Sequence, residues 1–83
     1  MPVEGPAAEH EFLDLRGLKC PLPALFARRA LLRSDPGVLL LVHADDPMAR
    51  VDIPHMCHQE GFEVVSIREA GGAIEAVLRR LST

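Results

Sequence analysis

Two cysteines and four histidines are the side chains of this 83-residue chain best suited to nucleophilic or soft-metal chemistry. Cys20 has the most telling surroundings. It lies in Leu15-Arg16-Gly17-Leu18-Lys19-Cys20-Pro21-Leu22-Pro23, where a strand ends, a glycine turns the chain and two prolines open a helix. The first turn of a helix carries N–H groups without intrahelical partners and about half a positive charge, which favours an anion held there. With Lys19 adjacent, Cys20 is therefore expected to ionise more easily than a free thiol and to act as the nucleophile. Pro21 and Pro23 have no N–H to lose and are tolerated only in a first helical turn, so they mark the helix start. They also push Cys20 towards extended backbone and leave Leu22 and Ala24 as the nearest N–H donors. The same string can equally serve as a rigid strand-to-helix turn that holds a small, unreactive apolar residue.

The second thiol reads differently. At about 100° per residue on a helix, Ala49, Ile53, Met56 and Cys57 fall in one stripe, which predicts Cys57 as a buried hydrophobe. A redox partnership with Cys20 would need the two Cα atoms within about 7 Å. His55 and His58 lie on the opposite side and could share a metal, but Cys57 cannot turn to join them and no second ligand group with zinc-type spacing follows. Two solvated surface histidines and no metal are the expectation, and no organic cofactor is called for.

The elements that must hold Cys20 follow from patterning. Met1 to His10 contains prolines, a glycine and acidic residues without apolar periodicity and reads as a flexible tail before a single domain over residues 11–83. Phe12 to Arg16 reads as a first strand ended by Gly17, and a helix runs from Pro21 to about Ser34. Asp35-Pro36-Gly37 is turn chemistry, and Val38 to Val42 reads as a strand buried on both faces. Asp46 is placed to cap a second helix with Pro47 at its first position, running to about Glu60. Pro54 requires that this helix either kink or start its regular part near Asp52. Gly61 ends it, and Phe62 to Arg68 with Ala73 to Leu81 make a hairpin across Ala70-Gly71-Gly72. The resulting fold class is α+β, a two-layer βαβαββ sandwich with a four-stranded mixed sheet and two helices on one face.

Composition removes several function classes. The hydrophobic fraction is 48% and the net charge is -3, without the basic surplus expected of bulk nucleic-acid binding. No run approaches the roughly 20 apolar residues of a membrane span, and the N-terminus lacks the basic-then-apolar order of a signal peptide. Two cysteines do not make a secreted disulfide framework, so a soluble, cytoplasmic chain with reduced thiols is expected.

The string Leu13-Asp14-Leu15-Arg16-Gly17-Leu18-Lys19-Cys20-Pro21-Leu22-Pro23, followed by Asp45-Asp46-Pro47 and Asp52-Ile53-Pro54, resembles the TusA family of sulfur-carrier proteins, also called SirA-like. The likeness spans residues 12 to about 81. It implies that Cys20 receives a sulfane sulfur as a persulfide and hands it to an acceptor protein. The sulfur would come from a donor protein such as a cysteine desulfurase or a rhodanese-type sulfurtransferase. It also implies the βαβαββ fold reached independently from patterning. Sulfur relay of this kind serves tRNA thiolation, molybdenum-cofactor assembly or sulfur-compound oxidation, and the sequence does not select among them. Asp14, Gly17 and the Asp45-Asp46 pair match the family pattern and read as shaping the turn or capping a helix, without touching sulfur. Phe26, Leu32 and His55 stand where the family more often has polar or basic residues, a difference that bears on the partner.

The first helix offers two faces. Ala24, Ala27, Ala30 and Leu31 form an uncharged stripe, whereas Leu22, Leu25, Phe26 and Leu32 alternate with Arg28, Arg29 and Arg33. Burying unpaired arginines would cost several kcal/mol, so the alanine stripe is taken as the core face. Leu18, Leu22 and Phe26 with Lys19, Arg28 and Arg29 then form an apolar and basic surface beside Cys20, a candidate docking face on a monomer. The chain shows no base beside Cys20, so partners are expected to supply the remaining catalytic groups. Two other functions stay open: an interaction or regulatory domain indifferent to Cys20, and a thiol redox sensor.

Overall fold

Glycine-rich turns and prolines divide the chain into short apolar segments, of which two helices and the two central strands each bury one side. In a computed structural model, residues 10–81 are described. They form β1 (His10–Asp14), α1 (Leu22–Arg33), β2 (Leu39–Ala44), α2 (Ala49–Glu60), β3 (Glu63–Ala70) and β4 (Ala73–Arg79). The sheet order is β1-β2-β4-β3, with β1 parallel to β2 and the other pairs antiparallel. This is the four-stranded mixed sheet of a βαβαββ α+β fold, with both helices on one face.

The core lies between the layers. Leu40, Val42 and Ala44 of β2 and Ile74, Ala76 and Leu78 of β4 meet Ala24, Ala27 and Leu31 of α1 and Ala49, Ile53, Met56 and Cys57 of α2. Alanines at the crossing points let the helix backbones come close to the sheet, while Leu31, Leu40, Ile53 and Leu78 fill the remaining volume. The alanine stripe is thus the core face of α1, with Pro23 buried beside it and Ala30 half-buried at its margin.

Several boundaries and one burial pattern differ from expectation. β1 begins at His10, paired with Leu39, so this residue belongs to the sheet; the rest of the expected tail, residues 1–9, lies outside the described residues. β1 ends at Asp14, two residues early, because the backbone then turns through Arg16 into Gly17 at φ 89°. β2 is buried on one face only: Leu39, Leu41 and His43 stay half-buried because no second layer covers that side. There Phe12 is 57% exposed and meets the His43 ring edge-on at 4.9 Å. α2 starts at Ala49 with Met48 as its cap residue, so Asp46 and Pro47 lie in the preceding turn. The helix nevertheless runs through Pro54, which leaves the Arg50 carbonyl without its usual N–H partner. Gly61 ends it in the left-handed conformation at φ 79°. A bulge at Val64 to Ser66 shifts β3 against β4.

Candidate functional site

Parallel pairing of β1 with β2 sets the carboxyl ends of both strands together, and so brings the starts of α1 and α2 side by side at one end of the sheet. The two βα turns are then laced by carboxylates. Gly17 N–H donates to Asp45 Oδ1 at 2.9 Å, Cys20 N–H donates to Asp46 Oδ2 at 2.5 Å, and the Cys20 thiol donates to Asp52 Oδ2 at 2.9 Å. Asp46 Oδ1 also accepts Met48 N–H at 2.9 Å, so one side chain joins the entry to α2 with the Cys20 backbone. Asp14 closes its own turn by accepting Arg16 N–H at 3.1 Å and the Arg16 guanidinium at 2.8 and 2.9 Å.

Cys20 is exposed, and the Cys20–Pro21 peptide is cis. Pro21 precedes α1, while Pro23 sits inside its first turn. Leu22 N–H, expected to be open to the sulfur, is taken by the Lys19 carbonyl at 2.8 Å. The electrostatics run against the expected direction. The hydrogen bond to the Asp52 carboxylate, with lesser contributions from partial burial and from the charges of Asp52 and Asp46, pushes the Cys20 thiol above its ordinary pKa. Acidic side chains therefore outweigh the helix start, whose nearest N–H group already has a partner. The Lys19 charge acts on Asp46, whose carboxyl is lowered first by Met48 N–H and then by Cys20 N–H. Arg16 holds Asp14 well below the usual carboxylate range.

The other thiol is inert by position. Cys57 is 1% exposed, and burial pushes its pKa up to about 11. His55 and His58 are both exposed on the far side of α2.

The outer face of α1 carries a shallow groove lined by Leu22, Phe26, Arg28 and Arg29. Arg29 and Phe26 also line a second groove that includes Leu18. Leu18 and Phe26 are half-buried against the core, and Arg28 Nε is paired with Glu60 at 3.1 Å, so Arg29 is the less committed of the two cations. Sequence reasoning missed Asp52 as a partner of the sulfur. The signal lay in the topology: two βα units on adjacent parallel strands bring both helix starts to one place, and Asp52 is the acidic residue in the first turn of the second helix.

The profile described as Sulfurtransferase TusA matches residues 11–80. The chain belongs to the TusA family. A Thermotoga maritima relative named "Putative sulfur carrier protein" is 42% identical over 59 residues, 71% of this chain and 75% of that one. A like-named Neisseria meningitidis protein is 39% identical over 69 residues, 83% of this chain and 93% of that one. The SirA-like protein of Desulfitobacterium hafniense superposes with a TM-score of 0.74 at 23% identity, over 87% of this chain and 99% of that one, and shares its fold. Membership of the TusA family gives this chain a sulfur-carrier role, with a sulfur donor and a sulfur acceptor as its general partners.

Proposed function

We propose that the protein carries sulfur as a persulfide on Cys20, receiving it from one protein and surrendering it to another. The observation that carries this reading is the contrast between the thiols: Cys20 is exposed on a turn tied down by three aspartates, whereas Cys57 is sealed in the core. A transferring thiol must be reachable by a second protein and held still while it reacts. In loading, a bond forms between Cys20 Sγ and the outer sulfur of a donor persulfide, and the donor cysteine leaves with the bonding electron pair. In delivery an acceptor thiolate attacks that outer sulfur and Cys20 leaves in the same way. No external oxidant is consumed.

In this reading residues 11–80 act as one TusA domain, a monomer in a reducing compartment, with Asp14, Gly17, Pro21 and Pro23 shaping the turn. The face of Leu22, Phe26, Arg28 and Arg29, with Lys19 at its edge, receives the partners. The pathway served is tRNA thiolation, molybdenum-cofactor assembly or sulfur oxidation, and the preferred donor discriminates among these. The test is intact mass under non-reducing conditions after exposure to a cysteine desulfurase with cysteine, or to a thiosulfate sulfurtransferase with thiosulfate. The expected result is a gain of one sulfur that is lost on reduction and absent from Cys20→Ser. No gain from either donor, or equal gain by the variant, overturns the reading.

A further inference from the structure

Among the described residues, Asp52 is the one side chain hydrogen-bonded to the Cys20 sulfur. It is fixed in place by α2, since its backbone N–H donates to Met48 O at 2.8 Å and the neighbouring Ile53 is fully buried. A thiol can satisfy this carboxylate because it has a proton to donate. A persulfide cannot do so through Sγ, which is then bonded to carbon and to the outer sulfur. The outer sulfur is also the more acidic group and tends towards a negative charge. Among the described residues, Asp52 from α2 and Asp46 from the preceding loop are the charged groups bearing on the sulfur, and both are acidic. The Lys19 cation bears on Asp46.

We propose that Asp52 makes Cys20 a loosely holding carrier: it is a hydrogen-bond partner of the empty thiol and an electrostatic opponent of the loaded persulfide, so bound sulfur is surrendered readily. The inference rests on the persulfide reading of Cys20. In loading, the Sγ proton passes to Asp52 Oδ2 and on to the departing thiolate as the new S–S bond forms and the donor's breaks. In delivery, the electron pair of the broken Sγ–S bond stays on Sγ, which regains a proton and re-forms the bond to Asp52. Atoms and charge balance in both directions without a redox partner, and the empty state is favoured by one hydrogen bond that the loaded state lacks.

The experiment equilibrates the protein with glutathione persulfide and glutathione at fixed ratio and neutral pH, and reads the loaded fraction by intact mass. Asp52→Asn is expected to shift the exchange constant towards the loaded form by roughly three- to tenfold, the range of one hydrogen bond. Asp52→Glu, which restores the charge and acceptor, should return it towards wild type. Asp52→Ser is measured alongside, and circular dichroism establishes which variants are folded, so that unfolding of one leaves the other decisive. An unchanged constant in a folded, charge-neutral variant, or a shift towards the empty form, overturns the inference while leaving the carrier reading intact. Failure of the wild-type protein to load at all overturns both.

Discussion

Cys20 reaches its reactive thiolate state by giving up a proton that Asp52 helps it keep. A raised thiol pKa means that at neutral pH a smaller fraction is ionised than for a free cysteine, and that reactivity rises as pH is taken up through the folded value. The rate of Cys20 alkylation by iodoacetamide should therefore follow a midpoint above 9.0, the ordinary value, and Asp52→Asn should bring that midpoint down. Lys19→Gln should leave it nearly in place, because that cation acts on Asp46. A wild-type midpoint below the ordinary thiol value would show that the helix start governs the sulfur after all. The turn, its glycine and the helix start just after Cys20 were legible because each depends on neighbours in the chain, whereas those neighbours alone leave the exposure of Cys20 open. The sign of the thiol's shift was not, because Asp46 and Asp52 lie 26 and 32 residues away and reach the Cys20 backbone and sulfur only through the folded topology.

Helix α2 supplies both the carboxylate at the site and part of the core, and its second thiol gives the fold a pH signature. Cys57 titrates at about 11 when buried against an ordinary 9.0. The folded state therefore holds the proton more tightly, and the stability this contributes is complete below pH 9 and is lost as pH rises towards 11. The chain contains no tyrosine, so few other groups titrate in that window. In a Cys20→Ser background, urea-unfolding stability should fall between pH 9 and 11, and adding Cys57→Ala should flatten that slope. An equal slope in both would place Cys57 outside the core. The stripe of Ala49, Ile53, Met56 and Cys57 was readable from helical periodicity alone, and so was the Gly61 stop. Of the two readings of Pro54, the late start near Asp52 does not hold, because a proline removes one hydrogen bond whereas Ile53, Met56 and Cys57 bury their side chains around it and the helix already begins at Ala49. β2 was misjudged for a related reason: an apolar run of five residues does not reveal that one sheet face is left without a helix layer.

At the scale of the whole molecule, the layers divide labour between stability and recognition. α1 places its alanines on the sheet and thereby turns Leu22, Arg28 and Arg29 outward, next to the end of the sheet where Cys20 sits. The net charge of -3 works against long-range attraction to an acidic partner, so a basic patch confined to this face would steer encounter by orientation more than by bulk charge. The two arginines are not equivalent. Reversing Arg28 sets a glutamate against Glu60 and removes an ion pair between the helices, whereas Arg29 can be reversed without breaking that pair. Arg29→Glu should therefore slow sulfur loading from a cysteine desulfurase about tenfold or more at low salt. The difference should shrink as ionic strength rises, with unfolding stability changed by no more than about 0.5 kcal/mol. Loading from glutathione persulfide, which needs no protein face, should be unaffected. Equal desulfurase kinetics at low salt would remove α1 from the docking surface while leaving the chemistry at Cys20 untouched, because the small-persulfide reaction reports on that chemistry separately.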